Sequence, residues 1–204
     1  MDFVLGRKFI PNFDKASSHT HKSAELLIRD DLAKYHPHLK NSEKIIEEYI
    51  GSTKPGIETV KAEADYLTDS WYSSKAANIG KAYTELFNGA QVYLYEFAAQ
   101  PSLTRVLNPR PYDFKRADHC DDLLFFLGFP FLPHLQERGL TFTLQERELS
   151  RKLMKILATF AETGSPEISK MLSWPPFPKS VYINDTLTIR NKFRQKRMNL
   201  FEDH

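Results

Sequence analysis

Cysteine is nearly absent from this chain of 204 residues: Cys120 stands alone, which rules out an internal disulfide and leaves the redox compartment undetermined. No apolar run is long enough to cross a membrane; the longest, about a dozen residues around Leu123–Leu132, is broken by Pro130. A strong charge of either sign is missing too. The formal net charge of +2 gives no global attraction to nucleic acid or to an anionic bilayer. The opening residues, MDFVLGRKFIPNFDK, show no charged-then-apolar signal layout, and no repeat or low-complexity segment occurs. What is present is an ordinary globular balance, 41% hydrophobic and 26% charged, on a length suited to one core.

The periodicity predicts a helical first half. Ser23–Tyr35 carries Leu26, Leu27, Leu32 and Ala33 at helical spacing and stops before Pro37. Ser42 is placed to cap a second helix, Glu43–Ile50, closed by Gly51. After the turn Lys54-Pro55-Gly56, the pattern from Glu58 to Leu86 is again helical. Val92–Phe97, rich in aromatic and branched residues, reads as a strand, and the prolines from Pro101 to Pro111 as a loop. The clearest helix is Leu144–Glu162, opened by a capping box at Thr143 and Glu146, stopped by Gly164, with Leu149, Leu153, Ile156, Leu157 and Phe160 on one face. Val181–Ile183 and Leu187–Ile189 form a short hairpin around Asn184-Asp185-Thr186, and Arg190–Phe201 reads as a basic terminal helix.

Chemistry concentrates in Ala117-Asp118-His119-Cys120-Asp121-Asp122, which precedes the apolar run Leu123-Leu124-Phe125-Phe126-Leu127-Gly128. A histidine set between acids titrates near neutrality and can move a proton either way. The alternative for His119 is a loop hydrogen bond with no chemistry. Cys120 is a conceivable nucleophile, but neighbouring side chains rarely face one another productively. Asp121 and Asp122 diverge for the same reason and read as local polarity. His19 with His21 and His36 with His38 offer paired imidazoles without a third spaced ligand, so they read as surface histidines and no metal is expected. Arg190, Lys192, Arg194, Lys196 and Arg197, interleaved with Phe193, Met198, Leu200 and Phe201, read as the solvated face of a docked helix in preference to a nucleic-acid or lipid surface. Asn184-Asp185-Thr186 is an N-glycosylation sequon.

In order along the chain, the strand Val92–Phe97, Ala117-Asp118-His119, the Phe-rich run, Phe160-Ala161-Glu162-Thr163-Gly164-Ser165-Pro166 and Trp174-Pro175 resemble the C-terminal part of a type-B carboxylesterase. Thr159 stands where that family usually has Asn, and Cys120 where it usually has Gly. The resemblance implies an α/β fold, a partial α/β-hydrolase, with residues 1–204 forming the C-terminal segment of a domain truncated on its N-terminal side. It implies that His119 is the catalytic histidine of a serine ester hydrolase, exchanging a proton with a serine hydroxyl and a leaving alcohol. The partners implied are a carboxylic ester in a full-length parent and a missing N-terminal portion, with no nucleic acid, no transmembrane segment and no cofactor. A secreted or endoplasmic-reticulum location is implied for such a parent, in keeping with the sequon.

The chain contains no Gly-x-Ser-x-Gly elbow; Gly51-Ser52 lacks the spacing, and Gly164-Ser165-Pro166 belongs to the helix stop. The Gly-rich oxyanion segment is missing as well. The family's acidic triad member falls near this chain's first residues, where Asp2 is the one candidate, against a reading as a plain terminal residue. The expectation is therefore a chain that supplies the histidine and hydrolyses esters negligibly by itself. The alternative is a non-catalytic, esterase-like interaction or adhesion module, which the absent serine and Cys120 allow.

Overall fold

The computed structural model describes residues 10–103, 117–169 and 172–202. They divide into two compact units, the first holding 10–79 and 194–202, the second 80–103, 117–169 and 172–193.

The first unit is helical. Helix α1, His21–Tyr35, begins two residues earlier than the apolar spacing predicts because Thr20 and Ser23 make a reciprocal capping box. Its buried face, Ala24, Ile28, Asp31 and Leu32, follows the four-then-three rhythm of an amphipathic helix. Helix α2, Ser42–Ile50, differs from expectation at both ends. Asn41, not Ser42, holds the N-cap position, yet its side chain makes no capping bond and instead donates to the Leu200 carbonyl at 3.0 Å. Gly51 stays right-handed at φ −54°, so glycine's special freedom is not what ends this helix.

Helix α3, Ile57–Thr68, packs against α1 and α2 and is buried on most of its circumference. It runs on through a π-helical turn, Asp69–Ser73, into α4, Ser74–Leu86, so the continuous helix read from the sequence carries one widened turn. Asp69 and Ser70, at that turn, are fully buried. Asp69 pairs with Arg194 and, at 3.3 Å, with Arg197, and accepts the Tyr49 hydroxyl at 2.8 Å. Tyr49 ionises far less readily than usual, first because it is buried and then because Asp69 is close.

This corrects the reading of the tail. Arg190 ends a strand, Arg194 takes a left-handed φ of 41°, and only Gln195–Met198 is α-helical, followed by a 3-10 turn at Asn199–Phe201. Met198 and Phe201 are buried, as a docked segment requires, but Arg194 and Arg197 are drawn inward to acids on α3 and its π turn. The apolar half of the expectation holds, and the basic half holds in part: Lys192 and Lys196 are exposed, while Arg194 and Arg197 are paired with acids. Periodicity cannot register a buried carboxylate more than a hundred residues upstream.

The second unit is a small mixed sheet with helices. Strand β1, Leu94–Phe97, is followed by helix α5, Asp121–Phe126, the short α6, Pro133–Glu137, and the long α7, Leu144–Thr163. Next come β2, Glu167–Ser169, β3, Leu172–Ser173, β4, Ser180–Ile183, and β5, Leu187–Arg190. The sheet order is β1-β4-β5: β1 runs parallel to β4 with Leu94 opposite Ser180, and β4 and β5 make the expected hairpin. The parallel pairing of β1 with β4 is formed within the chain. Val181 and Ile183 send fully buried side chains into a core with Ala99, Leu124, Phe125, Phe142, Leu149, Leu153, Ile156 and Trp174.

Helix α7 has the expected capping box at Thr143 and Glu146 and the expected left-handed stop, Gly164 at φ 72°. Leu149, Leu153 and Ile156 are buried along it, while Leu157 and Phe160 are 42% exposed, so the apolar face is covered only over its first three turns. Thr163 locks the stop, its hydroxyl donating to the Thr159 carbonyl at 2.8 Å and accepting the Ser165 N–H at 3.2 Å.

Candidate functional site

The candidate site is the turn Ala117–Cys120 and the start of α5. Its geometry comes from two aspartates. The Asp121 carboxylate accepts the Asp118 backbone N–H at 2.7 Å, while the Asp118 carbonyl accepts the Asp121 N–H at 3.1 Å. This closed ring fixes the backbone on both sides of the histidine. The Asp118 carboxylate accepts the His119 N–H at 2.7 Å. Asp118 and Asp121 are buried and His119 is half-buried, so the imidazole sits on a rigid support without being sealed from solvent.

Cys120 occupies the N-cap of α5 at φ 66°, ψ 12°, with no capping bond from its side chain. A left-handed backbone is needed here for the chain to turn from the His119 position into α5. Glycine takes that conformation without a steric penalty and cysteine does not. Asp121 and Asp122 then fill the first turn of α5, where negative charge is favoured by the exposed amides.

Asp122 points elsewhere, as adjacent residues on a helix must. Its carboxylate accepts the Tyr95 hydroxyl of β1 at 2.8 Å. Tyr95 resists ionisation because of burial first and Asp122 second. The ring of Tyr95 packs against Phe126 and, edge-on, against Trp174, whose indole N–H donates to the Leu94 carbonyl at 3.2 Å. The C-terminal end of α5 is tied down by the Ser150 hydroxyl of α7, which donates to the Phe125 carbonyl at 2.7 Å, and Gly128 follows where an added Cβ would lie 2.7 Å from Met154 Sδ. Strand, histidine turn and long helix are thus one connected support. The Tyr95–Asp122 link escaped sequence reasoning, although both residues were in view.

The remaining candidates do not converge here. His19 is buried and its Nδ1 lies 2.7 Å from Glu63 Oε2, while Nε2 lies 3.1 Å from the Asn12 carbonyl. That carbonyl can only accept, so Nε2 carries a hydrogen and the Nδ1–Oε2 contact holds one further proton. Burial dominates at Glu63 and raises its affinity for that proton, against the opposing pull of His19. His36 contacts the Ser70 hydroxyl at 2.9 Å and is harder to protonate than usual, mainly through burial and then through Lys75. His19 and His36 are therefore buried structural groups, which corrects their reading as surface histidines. His21 contacts the Thr53 carbonyl. Among the described residues no group of three or more His, Cys, Asp or Glu is arranged to hold a metal ion, and no helix is long and apolar enough to cross a membrane. Asp2, the candidate triad acid, lies outside the described residues, as does most of the Pro101–Pro111 loop.

A parallel strand, a histidine turn hydrogen-bonded to it and a long covering helix make a small α/β arrangement. A sequence model of the carboxylesterase family matches residues 2–202. The chain belongs to the carboxylesterase family, whose fold is the α/β-hydrolase, with which the helices and small mixed sheet are compatible. It is 27% identical over 157 residues to the medium-chain fatty acyl-CoA hydrolase precursor of Anas platyrhynchos, covering 76% of this chain and 26% of that protein. To liver carboxylesterase 1 of Oryctolagus cuniculus it is 29% identical over 131 residues, covering 64% of this chain and 21% of the relative. To human carboxylesterase 5A it is 39% identical over 89 residues, covering 44% and 15%. The chain thus spans about a quarter or less of the length of these curated relatives.

Proposed function

We propose that this chain is the C-terminal part of a partial α/β-hydrolase domain and carries the acid–base histidine of carboxylic ester hydrolysis at His119. The observation that supports the reading is the Asp118–Asp121 ring, which holds a half-exposed imidazole at the head of α5 in a carboxylesterase-family chain. In ester cleavage His119 would take the proton of a serine hydroxyl as the oxygen attacks the acyl carbon, then return it to the departing alkoxide. The sequence contains no Gly-x-Ser-x-Gly elbow, so the serine and its oxyanion donors would have to be supplied from outside these 204 residues. The substrate class would be a carboxylic ester.

The test is hydrolysis of p-nitrophenyl butyrate. The pure chain is expected to show no turnover above buffer, with His119→Ala indistinguishable from wild type. Mixing with the complementary N-terminal portion of a family member carrying the serine elbow is expected to produce turnover that His119→Ala removes. Turnover by the chain alone that disappears in His119→Ala would overturn the proposed dependence on a companion. Complemented activity that survives His119→Ala would overturn the role of His119.

A further inference from the structure

The β4–β5 hairpin carries a feature that ester chemistry does not use. The chain contains one Asn-x-Ser/Thr sequon, Asn184-Asp185-Thr186, and its three residues are the whole loop between the closing pair Ile183 and Leu187. Asp185 and Thr186 are exposed and Asn184 is half-exposed. The loop is an Asx turn. The Asn184 backbone N–H donates to the Thr186 carbonyl at 3.0 Å, and Asn184 Oδ1 accepts both the Thr186 N–H at 3.0 Å and the Thr186 hydroxyl at 3.3 Å. Every side-chain bond of Asn184 among the described residues therefore falls on its oxygen, and Nδ2 makes none among them.

We infer that Asn184 is an N-linked glycan acceptor when the chain is delivered to a compartment holding a lipid-pyrophosphate oligosaccharide donor. In that transfer Asn184 Nδ2 forms a bond to the anomeric carbon of the sugar. The anomeric C–O bond to pyrophosphate breaks, the lipid pyrophosphate leaves with the electron pair, and Nδ2 gives up one proton to a base of the transferase. No oxidant or reductant is involved. Two features of the loop support the site. The Thr186 hydroxyl on Oδ1 draws electron density through the amide and eases loss of the Nδ2 proton. The modified nitrogen lies outside the hydrogen-bond set, so Oδ1 keeps both donors and the hairpin keeps its turn with a glycan attached. A bulky hydrophilic group at such a tip meets solvent and leaves the buried side chains of Val181 and Ile183 undisturbed. The inference does not depend on the role of His119.

The experiment translates the full chain behind a cleavable signal peptide in the presence of endoplasmic-reticulum microsomes, and reads only protease-protected product. Wild type is expected to show a single upward mobility step removed by an N-glycan amidase. Asn184→Gln and Thr186→Ala are expected to lose the step, while Thr186→Ser retains it. Protected wild-type chains without the step, or a step that persists in Asn184→Gln, would overturn the assignment. Thermal midpoints of the glycosylated chain and of the same chain made without microsomes, which keeps Asn184 as an unmodified amide, are expected to coincide. A midpoint lowered by the attached glycan would show that Nδ2 is not spare.

Discussion

The left-handed conformation at Cys120 permits a sharp test of how the histidine turn is built. At φ 66° the Cβ of an L-residue crowds the following carbonyl, at a cost of about 1–2 kcal/mol relative to the right-handed region. Cys120→Gly removes that crowding but also gives the unfolded chain more freedom, worth about 0.5–1 kcal/mol in the opposite direction. The balance predicts that Cys120→Gly is more stable by about 0.5–1 kcal/mol, a rise in melting temperature of about 1–4 °C for a chain of this size. Cys120→Ala keeps the Cβ and is expected near wild type. Cys120→Val places a branched side chain at positive φ and is expected to be less stable by at least 1 kcal/mol. The assay is urea denaturation of the four proteins, with amide exchange at His119 and Asp121. Their protection should be equal in the Gly and Ala variants, because the bonds fixing the turn come from Asp118 and Asp121 and not from the cysteine. A glycine variant no more stable than the alanine variant, or a neutral valine, would refute the account.

Asp69→Asn should destabilise by about 3–5 kcal/mol, because Arg194 and Arg197 lose the buried carboxylate that compensates them. A cycle with Arg194→Met, read by urea midpoints, should be strongly non-additive. Tyr95→Phe should cost about 0.5–1.5 kcal/mol through loss of a solvent-exposed hydrogen bond to a carboxylate and should lower amide protection in the first turn of α5; unchanged exchange there would show that β1 does not support the histidine turn. Glu63 binds its proton more tightly folded than unfolded, so its contribution to stability is full below the ordinary value of 4.5 and lost as pH rises through the raised folded value. Wild-type stability relative to Glu63→Gln should accordingly fall as urea midpoints are followed upward from pH 4.5, and a difference that grows with pH would reverse the sign assigned here.

How much was legible in the sequence followed from the range of the interaction that set each feature. Helix α7 was readable almost to the residue, because its start is a bond pattern between Thr143 and Glu146 and its stop is a glycine at Gly164, both local. The β4–β5 hairpin was readable for the same reason: Asn184 and Thr186 make their own turn. The parallel partner of β1 was not, since nothing near Tyr95 specifies Val181, which lies more than eighty residues on. The tail failed most plainly. Its alternation of basic and apolar residues is what a surface helix shows, whereas Arg194 is left-handed and paired with the buried Asp69 on a distant π turn. His19 and His36 were misread in the same way, because Glu63 and Ser70 lie over thirty residues away.

The same distinction of range bears on the candidate site. Among the described residues, the Asp118–Asp121 ring, the Asp122–Tyr95 hydrogen bond and the Ser150 tie to Phe125, which shape the His119 turn, are made within the second unit. Under the proposed function, positioning a general base is a matter of backbone and supporting hydrogen bonds, and the His119 turn has such bonds. Activating a nucleophile is a matter of a serine within hydrogen-bond reach of the imidazole, and the sequence offers no elbow to present one. On the proposed reading, a histidine turn can therefore be formed in a chain that does no ester chemistry alone. Under the proposed function the amide protection of His119 should be the same before and after complementation, while turnover appears only after it. If protection at His119 arose only on complementation, the turn would be built by the companion, and the self-contained support described for this unit would be wrong.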